Sequence, residues 1–513
     1  MMLKEILRDC ECMGKGAEST LGRESIGPAL DIEGIAYDSR KVQKGYLFIA
    51  IRGEKYDGHD FLEKAIAQGA VAVACEEDIG KRYPVIRYIY VNNSRKALAC
   101  MANNFYGRPS ESLNLIGITG TNGKTTTSYL LKSIIETTGE TVGLIGTIQY
   151  MIKDQVFPAV HTTPESPEFQ CLLQEMLLSG CRFVVSEVSS HALAQYRVDG
   201  TAFHTAIFTN LTRDHLDFHK TMDEYFHAKA RLFTELLVRT GTAVINLDDV
   251  SGLNLSMAMK AGEGEAGQIL TYGIETQADL LARDIMNSFE GLRFTVAFRG
   301  NAYEIISPLT GMPNVYNILA AAGAAVSLGI PWKAIIQGIR QASSIRGRFE
   351  KVEAGQEFLC IVDYAHTEDA LERLIRTARE LLDKKSTAGA AHAAPRIITV
   401  FGCGGDRDRG KRPKMGEIAT KLSDFVLITS DNPRSEEPDA IIRDIEAGVT
   451  GRNYLVESDR REAIRKAVCM AREGDIVLVA GKGHEEYQEI KSEKHRFSDR
   501  EVIEEVLKVR PGI

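Results

Sequence analysis

Residues 117–125 have the residue types and spacing of a phosphate-binding loop. They read GITGTNGKT; the apolar run LNLIGIT leads into them and the helix-forming run TTTSYLLKSIIETTG leads out of them. In such a strand–loop–helix unit, backbone N–H groups and the positive end of the helix face an anion. Five residues separate Gly117 from Gly123, one more than in the standard P-loop, so we expect Gly120 and Gly123 to form the turn.

The loop predicts a site for ATP and Mg²⁺. Lys124 is expected to reach the β and γ phosphates, and the hydroxyl of Thr125 to ligate Mg²⁺. The alternative is a solvated strand-to-helix turn with a chance Lys-Thr pair, which the flanking strand and helix disfavour. The predicted nucleotide contacts in the loop are Gly120, Thr121, Asn122, Gly123, Lys124, Thr125 and Thr126.

Length and composition indicate a globular protein of several domains. At 513 residues the chain exceeds one compact core, and domains usually have roughly 100–200 residues. Hydrophobic residues make up 44% and charged residues 26%, which excludes a mainly disordered or fibrous chain. The net charge of -8 provides no global basic field for nucleic acid or an anionic membrane, so any anion must be bound locally.

The cysteines and apolar segments favour a cytoplasmic protein. Nine cysteines include no CxxC pair, which argues against a zinc ribbon and a disulfide scaffold, and we expect reduced thiols. The first residues, MMLKEILRDCECMGKG, have no apolar core of signal-peptide length, and the longest apolar run, residues 318–330, is too short to span a membrane. We expect no membrane insertion.

Alternating strand-type and helix-type segments predict an α/β fold with three domains. We expect an N-terminal α/β domain over residues 1–111, a central P-loop-type ATPase sheet over 112–345 and a C-terminal Rossmann-like sheet over 346–513. Residues 314–341 predict two helices broken near Gly329-Ile-Pro331. The small, polar segment 385–395 predicts a solvent loop without a catalytic role.

Ten motifs, together with YDSRKVQKGYLFIAIRG near the N-terminus, resemble the Mur ligases over nearly the whole chain. In order they are GTNGKTTT, SEVSSHAL, NLTRDHLDFH, HAKARLF, NVYNILAA, GRFE, DYAH, GCGGDRDRGKRP, DNPR and GKGHE. The extra residue of the phosphate loop is also a feature of that family. The resemblance implies a UDP-sugar domain, a central ATPase and a C-terminal domain that carries the incoming amino acid.

The resemblance also implies an activity, the ATP-dependent ligation of meso-diaminopimelate to UDP-N-acetylmuramoyl-L-alanyl-D-glutamate in peptidoglycan synthesis. A carboxylate must be activated before it forms an amide, and ATP supplies that activation as an acyl phosphate. Catalysis then consists mostly of positioning and of stabilising phosphate charge with cations. We expect a monomer.

The catalytic and metal-binding roles follow from the resemblance. It assigns Lys124, Lys229 and His215 as catalytic residues, and Thr125, Glu187, His215 and Lys229 as Mg²⁺ ligands. The family's matching lysine is carbamylated, which turns a cation into a carboxylate. Taken singly, Glu187 would be an ordinary strand-end carboxylate, His215 a structural histidine and Lys229 a solvated helix lysine.

Two further groups of contacts are implied. The nucleotide contacts outside the loop are Asn317, Arg348 and Asp363, and the contacts with the UDP-sugar dipeptide are Ser39, Thr162, Thr163, Ser189, Gln195 and Arg197. Each of the dipeptide contacts is weak evidence when taken alone, because Ser and Thr are common turn residues. In DYAHTEDAL, Glu368 stands where many relatives carry proline, which leaves the local loop conformation open.

The diaminopimelate pocket is predicted around DNPR. Pro433 fixes its own φ and restricts Asn432, and the guanidinium of Arg434 can hold a second carboxylate bidentately. The implied set is Arg407, Asp431, Asn432, Pro433, Arg434, Gly481 and Glu485, with Glu485 facing an ammonium. GCGGDRDRG is similar to a dinucleotide motif, but Arg407 occupies the third glycine position, which argues against NAD.

Two other functions stay open at this point. A folylpolyglutamate synthetase-like ligase is disfavoured by DNPR and GKGHE. A P-loop switch protein would use ATP only to change conformation. A ligase releases ADP and phosphate only when both of its cosubstrates are present, whereas a switch protein hydrolyses ATP without an amino acid.

Overall fold

The computed structural model describes residues 1–12, 30–53, 56–77, 83–262, 267–386, 394–491 and 493–509. These residues form sheets of four, eleven, six and two strands with helices packed on them. The predicted α/β fold is therefore confirmed. Most of the predicted solvent loop at 385–395 lies outside the described residues.

The N-terminal part of the chain forms a small parallel sheet, in the order β1-β2-β3-β4. Its elements are α1 (Leu3–Ile6), β1 (Gly34–Ala36), β2 (Tyr46–Ile49), α2 (Leu62–Ala67), β3 (Ala70–Cys75), β4 (Arg87–Tyr90) and α3 (Ser94–Phe105), with short 3₁₀ helices at Ser39–Lys41, Gly58–Phe61 and Pro109–Ser112. A disulfide joins Cys10 to Cys100. The expectation of reduced thiols is thus wrong for this pair, because the segment after α1 packs against α3 and brings the two residues together.

The eleven-stranded sheet has a parallel centre between two antiparallel edges. Its strands, in the order β15-β14-β13-β12-β11-β10-β5-β9-β6-β7-β8, are β5 (Asn114–Thr119), β6 (Val142–Ile145), β7 (Gln149–Ile152), β8 (Gln155–Pro158), β9 (Phe183–Glu187), β10 (Phe203–Phe208), β11 (Leu237–Asn246), β12 (Gln268–Gly273), β13 (Leu280–Ser288), β14 (Gly291–Phe298) and β15 (Asn301–Ser307). The strand before the phosphate loop, β5, lies between β9 and β10 and runs parallel to both. The carboxyl ends of these three strands therefore meet at one edge.

Helices cover both faces of this sheet. They are α4 (Lys124–Glu136), α5 (Ser166–Leu178), α6 (Ser190–Ala194), α7 (Leu216–His219), α8 (Met222–Thr234), α9 (Val250–Lys260), α10 (Met312–Ser327) and α11 (Trp332–Gln341). Because side chains alternate along a strand, Ile116 and Ile118 of β5 join the core beneath α4 and α10, whereas Leu115 joins the core on the other face. The predicted helix pair at 314–341 is confirmed.

The six-stranded sheet, in the order β16-β17-β21-β18-β19-β20, is parallel except at β16. Its part of the chain contains β16 (Glu350–Val352), β17 (Leu359–Asp363), α12 (Glu368–Ser386), β18 (Ile397–Phe401), α13 (Lys411–Leu422), β19 (Phe425–Ile428), α14 (Pro438–Glu446), β20 (Tyr454–Val456), α15 (Arg460–Met470), β21 (Ile476–Ala480), β22 (Tyr487–Ile490), β23 (Glu493–Arg496) and α16 (Asp499–Val509). Strands β22 and β23 form a separate hairpin. The domain boundaries at 111/112 and 345/346 remain proposals; they fall outside the strands of all four sheets.

One buried ion pair ties α15 to α16 in the six-stranded part. Arg460 donates from Nε and Nη2 to the carboxylate of Asp499, both at 2.7 Å, and both side chains are fully buried. Nη2 also donates to the carbonyl of Ala480 at the end of β21. Removing one partner of such a pair leaves a buried charge without compensation.

We expect Arg460→Ala to lower the free energy of unfolding by about 3–5 kcal/mol, since Asp499 would stay buried and unpaired. Urea denaturation followed by circular dichroism measures the change. The control is Arg465→Ala on the same helix, where Arg465 and Glu462 form an exposed pair and the loss should stay within about 1 kcal/mol. Equal stability of the two variants would contradict this account.

Candidate active site

The phosphate loop connects β5 to α4 and requires glycine at two positions. Gly120 and Gly123 have φ values of 146° and 88°, as expected from the spacing. A Cβ at Gly120 would lie 1.9 Å from the hydroxyl of Thr209, and one at Gly123 would lie 2.3 Å from Oδ1 of Asn317. The loop is therefore pressed against its neighbours, which leaves its outer face for a ligand.

This loop opens into a cavity of about 540 Å³ between the eleven-stranded and six-stranded sheets. That volume lies in the range of small-molecule and cofactor sites. The predicted site residues that line it are Thr121, Asn122, Gly123, Lys124, Thr125, Thr126, Thr162, Glu187, Ser189, His215, Asn317, Arg348 and Asp363. The structure thus brings most of the predicted nucleotide and metal residues to one place.

Glu187 ends β9 and is fully buried. Its Oε2 accepts hydrogen bonds from the hydroxyls of Thr125 (3.0 Å) and Thr147 (2.8 Å), and its Oε1 accepts one from the backbone N–H of Thr147 (3.0 Å). Arg348 donates to the Thr125 hydroxyl at 3.2 Å. Glu187 is therefore a buried strand-end carboxylate that is held by hydroxyl and backbone donors. Sequence reasoning missed Thr147, which belongs to no motif that we recognised.

The oxygen atoms of Glu187 and Thr125 beside the phosphate loop are of the kind that Mg²⁺ prefers. Among the described residues, no group of three or more His, Cys, Asp and Glu side chains is arranged to hold a metal. Mg²⁺ usually keeps several waters and is bound by one or two carboxylates together with substrate phosphates. A buried carboxylate and a hydroxyl beside a phosphate loop fit that pattern.

Two lysines share one carbonyl oxygen behind the loop. Lys124 and Lys229 each donate to the carbonyl of Gly120 at 2.8 Å, and Lys124 also donates to that of Thr121. Lys229 is only 1% exposed, and its ammonium lies 4.5 Å from the ring centre of Tyr225. The interpretation of Lys229 as a solvated helix lysine is therefore wrong.

Burial and mutual repulsion change the protonation of this pair. Burial and the neighbouring Lys124 hold the pKa of Lys229 well below its ordinary value. Burial also lowers the pKa of Lys124, while Glu187 opposes that effect. Lys229 thus has access to its neutral amine form, which is nucleophilic.

His215 precedes α7 with a left-handed backbone conformation, φ 55°. Its Nε2 lies 3.4 Å from Oδ2 of Asp214, and its ring centre lies 4.7 Å from that of His191. Burial lowers the pKa of His215 to about 4, against the opposing charge of Asp214. The imidazole is then neutral at physiological pH, as a metal ligand must be. Sequence reasoning missed His191.

Residues of the six-stranded part reach across to the loop. The guanidinium of Arg348 lies 4.8 Å from the ring centre of Tyr364, and Asp363 accepts from the backbone N–H of Phe349 at 2.7 Å. Asn122 of the loop donates to Asp369 of α12 at 3.1 Å. The helix α12 begins at Glu368, a position where proline is favoured and where glutamate also suits the helix dipole.

The residues predicted for the UDP-sugar dipeptide lie together near the end of β9, except for Ser39. Thr163 donates to the carbonyl of Glu187 and accepts from the N–H of Ser189, while Arg197 donates to the carbonyl of Thr163 and to Gln195. Thr162 contacts Thr147 at 3.1 Å. Ser39 lies apart, in the 3₁₀ helix Ser39–Lys41 of the N-terminal sheet. A substrate that contacts both places must extend between the two sheets.

The sequence-predicted amino acid pocket lies at the carboxyl edge of the six-stranded sheet. Asn432 donates to Oε2 of Glu485 at 2.8 Å. The buried Lys482 donates to the same oxygen at 2.9 Å and to Asn432 at 3.0 Å. A Cβ at Gly481 would lie 2.4 Å from Asp431. Sequence reasoning missed Lys482, although it lies within GKGHE.

The two arginines of this pocket differ in exposure. Arg434 is partly buried; it donates from Nη1 to the carbonyl of Gly405 at 2.7 Å and from Nε to Glu489 at 3.2 Å. Arg407 is exposed and donates to the carbonyl of Asp406. Both side chains flank Gly404, where a Cβ would lie 2.9 Å from Nη1 of Arg434 and 3.8 Å from Cγ of Arg407.

Comparison with known proteins agrees with this arrangement. Residues 31–106 match the Mur ligase family catalytic domain, residues 118–325 the Mur ligase middle domain, and residues 347–483 the Mur ligase glutamate ligase domain. The chain belongs to the Mur ligase family. The protein is therefore an ATP-dependent ligase, which disfavours the alternative of a P-loop switch protein.

The similar proteins cover nearly the whole of this Mur ligase. A UDP-N-acetylmuramoyl-L-alanyl-D-glutamate--2,6-diaminopimelate ligase of Solibacter usitatus is 48% identical over 93% of this chain and 94% of its own. The ligase of the same name from Caldanaerobacter subterraneus is 46% identical over 94% and 95%. A solved structure with that name is 35% identical, with a TM-score of 0.66, over 93% of this chain and 95% of its own.

No helix within the described residues combines the length and apolar character needed to cross a membrane.

Removing the Lys124 ammonium should abolish phosphate binding without unfolding the chain. We expect Lys124→Ala to lower ATP-dependent turnover at least about 100-fold, because the cation that neutralises phosphate charge is lost. The Lys124 ammonium donates to two loop carbonyls, and the side chain belongs to no hydrophobic core, so the variant should still fold. ADP release and circular dichroism are the measurements. Lys132→Ala on the same helix, outside the cavity, is the control; undiminished turnover in folded Lys124→Ala would refute the role.

Proposed function

We propose that this Mur ligase joins meso-diaminopimelate to the D-glutamyl side-chain carboxylate of UDP-N-acetylmuramoyl-L-alanyl-D-glutamate, through an acyl phosphate, in peptidoglycan synthesis and in the cytoplasm. The names of its relatives support the choice of substrates. The observation that carries the proposal is the position of Arg434 at the edge of the six-stranded sheet, where Glu489 and the carbonyl of Gly405 hold its guanidinium.

The nucleotide cavity supplies the activation step. The substrate carboxylate attacks the γ phosphorus of ATP, ADP leaves, and the amine of the amino acid then displaces phosphate from the acyl phosphate. Lys124 and Arg348 would stabilise the charge on the phosphate oxygens. Thr125, Glu187, His215 and Lys229 would hold Mg²⁺, which, when bound, neutralises phosphate charge.

The environment of Lys229 favours carbamylation. A neutral lysine amine adds to the carbon of CO₂, forms an N–C bond and loses a proton, which leaves a carbamate anion. The ammonium groups of the unmodified Lys229 and of Lys124 meet at the Gly120 carbonyl and repel each other. Carbamylation would replace that repulsion with attraction between an anion and a cation. The low pKa of Lys229, caused by burial and by Lys124, makes the neutral amine accessible.

The UDP-sugar dipeptide would extend from the N-terminal sheet to the nucleotide cavity. Ser39 lies at the first end, and Thr162 and Ser189 line the cavity at the second. Tyr37 and Lys41, on either side of Ser39, both donate to Glu168 of α5. These bonds fix the N-terminal sheet to the central one and so define the distance that the substrate spans.

An assay of dependence on both cosubstrates tests the whole proposal. ADP and phosphate should appear only when ATP, UDP-N-acetylmuramoyl-L-alanyl-D-glutamate and meso-diaminopimelate are all present. Turnover of ATP without an amino acid would indicate a switch, and use of folylpolyglutamate with glutamate would indicate the other ligase class.

If Lys229 is carbamylated, Lys229→Ala should lose activity, and added short carboxylic acids should restore part of it. The acid would supply the carboxylate that the carbamate provided. Product formation with and without acetate measures the rescue, and Lys220→Ala, on an exposed lysine before α8, is the control. Full activity of the Lys229 variant, or a high-resolution crystal map of active enzyme with an unmodified lysine, would contradict carbamylation.

Arg434 should select diaminopimelate over lysine. Diaminopimelate carries a second carboxylate on its far carbon, and a charge-assisted bond to it contributes about 1.5–3 kcal/mol. We therefore expect Arg434→Ala to lose at least about tenfold in preference for diaminopimelate. A competition assay with both amino acids on wild type and variant measures this. Equal use of lysine by wild type, or an unchanged preference in the variant, would falsify the assignment.

A further inference from the structure

The β22–β23 hairpin is hydrogen-bonded to the Asp431–Arg434 loop. No sequence motif predicted this contact. Arg434 and Ile490 form a parallel bridge: the N–H of Arg434 donates to the carbonyl of Glu489 at 3.0 Å, and the N–H of Lys491 donates to that of Arg434 at 2.8 Å. Gln488 donates to the carbonyl of Asp431 at 2.7 Å. The hairpin therefore fixes the backbone of this loop.

One residue of the hairpin also holds the side chain of Arg434. Oε2 of Glu489 accepts from Nε of Arg434 at 3.2 Å, and the carbonyl of Gly405 accepts from Nη1 at 2.7 Å. The two side chains are 22% and 27% exposed, so water competes only partly for this pair. Within the described residues Nη2 has no protein partner. The guanidinium is thus held at Nε and by one N–H of Nη1, which leaves the second N–H of Nη1 and both N–H groups of Nη2 for a ligand.

The other acidic side chain of the pocket is engaged elsewhere. Oε2 of Glu485 accepts from both Lys482 and Asn432. The charge of Glu485 is therefore balanced by Lys482, and within the described part of the chain Glu485 forms no hydrogen bond or ion pair with Arg434. Among the described acidic side chains, Glu489 is the one that contacts this guanidinium.

We propose that Glu489 is a positioning residue for amino acid selection, holding Arg434 so that the end of its guanidinium, Nη1 and Nη2, meets the second carboxylate of the incoming amino acid. This inference rests on the proposed function. Glu489 blocks the Nε side of the guanidinium, so a carboxylate can bind bidentately only at the end. A fixed guanidinium also loses less side-chain freedom when the amino acid binds.

The contacts that fix the backbone of Arg434 do not fix its side chain. Arg434 has φ 51°, the left-handed region that arginine rarely adopts. The bridge to Ile490 fixes this backbone, but it leaves the long side chain free to rotate. Among the described residues, the guanidinium donates to Glu489 and to Gly405, and the Gly405 carbonyl cannot be removed by a side-chain substitution.

The test measures kcat and KM for meso-diaminopimelate and for lysine in Glu489→Ala and Glu489→Gln. In the alanine variant we expect KM for diaminopimelate to rise about tenfold with kcat within about twofold, the pattern of lost binding that is uniform between ground and transition state. KM for lysine should change less than about twofold, because lysine has no second carboxylate for Arg434 to bind. In the glutamine variant KM for diaminopimelate should rise less, since the amide oxygen can still accept a hydrogen bond from Nε of Arg434.

A matched control and a stability measurement separate positioning from a structural role. Glu493→Gln changes a carboxylate of the same hairpin that is 80% exposed, and it should leave both KM values unchanged. Thermal unfolding and ADP binding should be the same in all variants. If Glu489→Ala does not fold, Glu489→Gln carries the test, because it keeps the size and acceptor of the side chain.

Each outcome is decisive for one of the two proposals. An unchanged KM for diaminopimelate in both Glu489 variants, or an equal loss for both amino acids together with a lower unfolding temperature, would overturn the positioning role. If Arg434→Ala loses the preference and the Glu489 variants keep it, only this inference fails. If the wild type does not prefer diaminopimelate, the proposed function fails first.

Discussion

The carbonyl oxygen of Gly120 accepts hydrogen bonds from two lysines, and the arrangement of the active site depends on this contact. Lys124 comes from the helix that follows the loop, whereas Lys229 comes from α8. Two ammonium groups at one oxygen repel each other, and Lys229 is buried, so burial and Lys124 lower the pKa of Lys229. The fold holds them together because β5, β9 and β10 are parallel neighbours whose loops share one edge.

Closure of the site depends on the six-stranded part of the chain. Arg348 reaches the Thr125 hydroxyl, and Asp369 accepts from Asn122 of the loop. Neither contact is strong alone, since each is partly exposed to water. Together they place the wall of the cavity over the phosphate loop, so that a nucleotide bound there would be enclosed by two sheets. A ligase benefits from this enclosure because an acyl phosphate is lost to hydrolysis when water reaches it.

The chemistry of the phosphate loop could be predicted from sequence because it is local. The spacing of Gly120, Gly123 and Lys124 dictates a turn and a helix start, and the structure confirms that both glycines have positive φ. The α/β class and the helix pair at 314–341 also follow from local patterns. Thr147 and Glu489 belong to no motif, and their partners Glu187 and Arg434 are far away in the chain. His191 and Lys482 lie within motifs, but their contacts with His215 and Asn432 arise only from packing.

The sequence by itself determined the family, the α/β class and the types of residue at each site, since these depend on motifs of a few adjacent residues. Only the tertiary structure decided which of those residues are buried and which charges they meet. Lys229 lies in an unremarkable helical segment, and its burial beside Lys124 is a consequence of strands and helices packing over a hundred residues apart. Glu489 meets Arg434 through a hairpin 55 residues later. Burial and pairing of charges are set by packing between distant segments, and no local pattern records them.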